Sequence, residues 1–112
     1  VADENKVLAQ TAAAQAVPVV WEQYEAMPHC FPQLFAGTAV ANKCCDSWAG
    51  FVNKVTEDPA GTATKGSYIV AKSLDTQPVD VSELLDVSPE AVLEGMRQAR
   101  NDFVRRAASD CQ

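Results

Sequence analysis

The sequence predicts a mainly all-α fold: a small disulfide-stapled helical bundle of roughly three to five helices, residues 1–112 forming one domain, with a long irregular connection at about 56–87. Three observations carry this expectation. Hydrophobic residues make up 47% of the chain but aromatics only 7%, so alanine, valine and leucine do most of the filling, which suits closely packed helices better than a wide sandwich. Two long segments repeat apolar residues at the helical period, one running through KCCDSW (43–48) and one following Ser88 and Pro89. Four cysteines in so short a chain read as an even disulfide complement.

From the N-terminus, residues 2–17 are rich in alanine and glutamine, place Asp3 and Glu4 where a helix favours negative charge, and stop against Pro18. They are expected to form a helix. Residues 18–27 are expected to form a second helix or a kinked continuation, since Pro18 suits a first turn and Val20, Tyr24 and Met27 recur at helical spacings. Pro28 and Pro32 then deprive the backbone of donors and impose a turn. From 33 to 55 the pattern is helical again, with Gly37 and Thr38 ending one short helix and capping the next. At about 100° per residue, Val40, Cys44, Trp48, Phe51 and Val55 share one stripe, and Trp48 is the expected core anchor.

Residues 56–66 read as a loop from their proline, glycines and small polar residues. Residues 67–74 fit a short strand or one more helical turn, and 76–87 fit a mostly extended connection with one turn near 82–85. The clearest local signal lies at 88–111, where Ser88 can cap, Pro89 occupies the first turn and Glu90 adds negative charge at the positive end. Val92, Met96, Ala99, Phe103 and Ala107 then form an apolar stripe.

Adjacent helical residues diverge by about 100°, so Cys44 and Cys45 are not expected to bond each other. The expected bridges join Cys30 to one of them and Cys111 to the other, leaving the assignment open. A straight helix from 32 to 44, rising about 1.5 Å per residue, would carry Cys44 beyond reach of Cys30, so the chain is expected to fold back near Gly37. The chain opens VADENKVLAQ, without an initiator methionine or a signal sequence. Together with the cysteines, this points to a secreted or organelle-lumen protein from which a targeting peptide has been removed.

The chemistry-bearing residues are sparse. One histidine and no CxxC spacing give no zinc pattern, and no metal or other cofactor is expected. His29 beside Cys30 suggests a base and a nucleophile, but sequence neighbours seldom have the geometry. Asp58, Asp75, Asp80 and Asp86 sit in loop-like sequence, where they read as solvated or turn-making residues. Gly61 and Gly66 lack the strand and helix that would make a phosphate cradle. The chain is expected not to be an enzyme.

A net charge of −6 argues against a nucleic-acid partner, and no apolar run approaches the about 18 residues of a membrane span. The charge is unevenly spread. Residues 1–94 carry thirteen acids against five lysines, −8, whereas residues 95–112 carry four arginines against two acids, +2. Asp102 is expected to pair with Arg106 at i,i+4, leaving Arg97, Arg100 and Arg105 as candidate partner-binding residues. The expected function is a non-catalytic protein-interaction subunit, for instance an extrinsic component of a membrane protein complex. The alternative is a carrier of a small apolar ligand, with Trp21, Tyr24, Met27, Phe31, Leu34 and Phe35 as candidate lining, or a secreted effector or inhibitor.

Overall fold

A three-stranded mixed sheet organises the chain, with helices around it. The computed structural model describes residues 2–110 and contains α1 (Ala2–Ala14), β1 (Val20–Tyr24), α2 (Phe31–Leu34), α3 (Ala39–Glu57), β2 (Lys65–Ile69), β3 (Thr76–Val79) and α4 (Pro89–Asp110). Strand β2 is central. It pairs parallel with β1, from Val20 opposite Lys65 to Tyr24 opposite Ile69, and antiparallel with β3, from Gly66 opposite Val79 to Ile69 opposite Thr76. The parallel pair is joined through α2 and α3, the kind of long crossover that parallel strands require.

This sheet corrects the all-α expectation at two places. The segment expected as a second helix is β1: Val20, Trp21 and Tyr24 are β-branched or aromatic and fit a pleated, half-buried surface. Its ladder is completed by residues more than forty positions away, which no local window contains. The expected irregular connection holds β2 and β3, with one-turn 3₁₀ segments at Pro59–Gly61 and Val81–Glu83.

The disulfide expectation is also corrected. Cys30, Cys44 and Cys45 carry free thiols, and Cys111 lies outside the described residues. The divergence of adjacent helical positions is real but serves another end: Cys44 is buried while Cys45 faces solvent, and Cys30 is exposed at the start of α2.

Local signals set the helix ends. Gly37 takes a φ of 87°, which favours glycine, and the Thr38 hydroxyl then accepts from the Ala41 amide at 3.4 Å to cap α3. At α4 the Ser88 hydroxyl accepts from the Ala91 amide at 3.2 Å. The Gln10 side chain ties α1 to the segment before α4, donating to the Ser82 carbonyl at 2.8 Å and accepting from the Leu85 amide at 2.9 Å.

The core is small. Ile69 on β2 and Ala41 on α3 are each 1% exposed, and Val7, Ala9, Phe31, Cys44 and Val81 are the other buried apolar residues. Helix α4 starts against α1, but every side chain from residue 95 to 109 is exposed. The radius of gyration is 17.6 Å, where a compact chain of this length has about 13 Å. The accessible surface is 8157 Å², where a compact monomer of this mass exposes about 6000 Å².

Candidate functional site: an aromatic cleft between β1 and α3

A cleft of about 410 Å³ lies between β1 and α3. Strand β1 contributes Val20, Trp21, Glu22 and Tyr24, α2 contributes Phe31, and α3 contributes Cys44, Ser47, Trp48 and Phe51. The four α3 residues are spaced i, i+3, i+4, i+7, which puts them on one helical face. Trp48, expected as a core anchor, is 63% exposed; on α3 the buried residues are Ala41 and Cys44, in the half that packs against α2.

Aromatic residues from β1, α2 and α3 line the cleft together with one carboxylate, Glu22. The Tyr24 hydroxyl donates to Glu22 Oε2 at 3.0 Å, and the Ser47 hydroxyl donates to Glu22 Oε1 across the gap between strand and helix. The Tyr24 and Phe31 rings meet at 5.0 Å between centroids and 47° between planes, a tilted packing favoured by the ring quadrupoles. Burial, followed by the hydrogen bond to Glu22 and its negative charge, pushes the Tyr24 phenol well above its ordinary range. Burial likewise raises the Cys44 thiol, with the neighbouring Cys45 and Glu22 adding to the shift and the Tyr24 hydrogen bond partly opposing it. Both groups therefore stay neutral at physiological pH. The Trp21 indole N–H is buried without an acceptor among the described residues.

Of the lining read from sequence, Trp21, Tyr24 and Phe31 are brought together here, whereas Met27, Leu34 and Phe35 are not. Leu34 and Phe35 are 65% and 43% exposed, displaced by the turn that ends α2. Val20, Glu22, Cys44, Ser47, Trp48 and Phe51 join the lining instead. Their signal was present: residues 20, 22 and 24 alternate at the strand period, and that pattern faces the α3 stripe only once β1 is recognised as a strand.

The arginines of α4 form a separate surface. Arg97 makes two hydrogen bonds to Glu94, at 3.0 and 2.9 Å, and holds that carboxyl below its usual range. Asp102 pairs with Arg105 at 3.7 Å and not, as expected, with Arg106. Arg100 and Arg106 have no ion pair among the described residues. Projected around the helix, those two flank the stripe of Met96, Ala99, Phe103 and Ala107 on opposite sides. No group of three histidine, cysteine or carboxylate side chains is placed to hold a metal among the described residues. No protein-family model matches the chain, and no curated protein or solved structure is significantly similar to it.

Proposed function

We propose that the chain is a non-catalytic protein-interaction subunit that docks through the outer half of α4. One observation supports this reading above the others: the helix continues from residue 95 to 109 with every side chain exposed, although it carries an apolar stripe. Phe103 at 72% exposure is its most prominent member. An amphipathic helix is stabilised mainly by burying such a face, and here the rest of the chain does not cover it.

Arg100 and Arg106 border the stripe, so a fitting partner offers an apolar groove with an acidic rim, as in helix-in-groove recognition. No helix among the described residues is long and apolar enough to cross a membrane. The reading requires no particular compartment. With Cys30, Cys44 and Cys45 free, the disulfide argument for an oxidising lumen falls away.

The test returns the chain to its source as Phe103→Glu or as the double variant Arg100→Gln, Arg106→Gln. Both variants should keep the wild-type circular dichroism, since these side chains touch little of the fold. Both should elute as free chain where wild type elutes in a larger assembly, the arginine variant most clearly as salt rises. Retention of both variants with unchanged salt resistance would remove α4 as the docking element. The cleft favours a second reading, the carrier, because its volume and apolar rings fall within the range of small-molecule sites.

A further inference from the structure

We infer that the cleft between β1 and α3 is a site for an organic cation, a quaternary or protonated amine on an apolar body. The inference rests on the carrier reading of the cleft, names its ligand class, and is independent of docking through α4. Glu22 is half-buried and has no lysine, arginine or histidine beside it in the lining, nor any ion pair among the described residues. Among the described residues its only side-chain hydrogen-bond partners are two neutral hydroxyls, one on each carboxylate oxygen. An ionised carboxylate offers about four lone-pair sites, so acceptor capacity remains on both oxygens.

The walls match that charge. Tyr24, Phe31, Trp48 and Phe51 line the cleft with aromatic rings, whose negative faces attract a cation, tryptophan most strongly. The same rings give an apolar body its contact area. The raised phenol of Tyr24 and thiol of Cys44 report a site where negative charge is resisted, so an anionic ligand meets burial and Glu22 together. A neutral ligand would occupy the rings and leave the carboxylate without a counter-ion. A cation uses both features, in the manner of aromatic cages for alkylated ammonium groups.

Trp48 lines this cleft and Trp21 borders it from β1, so tryptophan fluorescence reports on it. The probes are benzyltrimethylammonium, neutral benzyl alcohol and anionic benzenesulfonate, each titrated into the isolated full-length chain with calorimetry in parallel. The cation should bind saturably and perturb the fluorescence, benzenesulfonate should do neither, and benzyl alcohol should bind about tenfold or more weakly than the cation. Glu22→Gln keeps one acceptor oxygen for one of the two hydroxyls, while its NH2 can donate to the other once that hydroxyl turns to accept; it should weaken the cation about tenfold while sparing benzyl alcohol. Trp48→Ala, at an exposed position that the fold does not need, should weaken both. Equal binding of cation and neutral probe, unchanged by Glu22→Gln, would overturn the cation class and leave a generic apolar carrier. Absence of binding by every probe would overturn the carrier reading with it, and either result leaves docking through α4 standing.

Discussion

Tyr24 and Cys44 face the same carboxylate, and the fold makes both hold their protons harder than the unfolded chain does. The consequence is a stability that depends on alkaline pH. Between the unfolded and the raised folded pKa, the folded chain binds more protons, so unfolding becomes easier as pH rises. The stabilisation is complete below the unfolded values, about 8.5 for a thiol and about 10 for a phenol, and is lost progressively above them. Urea midpoints measured from about pH 7 to about pH 11 should therefore fall above about pH 9. The double variant Tyr24→Phe, Cys44→Ala should begin less stable at neutral pH but show a shallower decline. Equal slopes for the two chains would mean that neither group is protected by the cleft. The residues concerned were only half legible in sequence. Tyr24 was placed in an apolar lining and Cys44 in a disulfide, and neither reading contains the hydroxyl-to-carboxylate contact, because Glu22 and Ser47 meet only when strand and helix are packed.

Helices α3 and α4 were legible because their information is local: the Thr38 and Ser88 caps, the 3.6-residue stripe and the proline at the start of α4 all lie within a few residues of what they specify. The turns were legible for the same reason. Asp58 Oδ1 accepts from the Gly61 amide at 3.1 Å, and Asp80 Oδ1 accepts from the Ser82 amide at 2.8 Å, as turn-making aspartates do. Strand β1 was not legible, since it owes its conformation to β2 and its helical spacing of Val20, Tyr24 and Met27 fits local rules equally well. The central strand was legible in part: of the two alternatives for residues 67–74, the short strand is the one the fold adopts over 67–69, and Gly66 lies beside it in β2. The physical role of Gly66 is close approach: a Cβ there would lie 2.3 Å from the Val79 carbonyl oxygen on β3. Gly66→Ala must push β3 outward and should destabilise the chain by about 1–3 kcal/mol, while Gly50→Ala, where a Cβ meets nothing within 4 Å, should stabilise α3 by up to about 1 kcal/mol. Chemical denaturation of the two variants checks the pair. A Gly66→Ala chain as stable as wild type would mean that β3 is not held against β2.

At the scale of the whole molecule the deciding quantity is surface. An unfolded chain of 12.0 kDa exposes about 17,400 Å², so the folded chain removes only roughly half of it from water, against about two-thirds for a compact domain of this length. The excess of about 2000 Å² over a compact monomer is comparable to the total area of a standard protein interface. Much of it belongs to α4, whose side chains from residue 95 to 109 are exposed. Those residues are held as helix by their own backbone bonds and by pairs such as Arg97 with Glu94, which are worth about 0.2–0.5 kcal/mol each on a solvated helix. A helix supported in this way opens locally without unfolding the sheet. In the isolated chain, the amides of residues 98–109 should exchange with solvent orders of magnitude faster than that of Ile69, and deleting the chain beyond residue 96 should shift the unfolding free energy by no more than about 0.5 kcal/mol. Light scattering on the same sample checks whether the chain is monomeric. Protection of α4 equal to that of β2 in a confirmed monomer would show that the helix is folded back onto the body, and the docking proposal would lose the uncovered surface on which it depends. Fast exchange in the free chain, replaced by strong protection on binding a groove-bearing partner, is the outcome expected of a docking helix stabilised by what it binds.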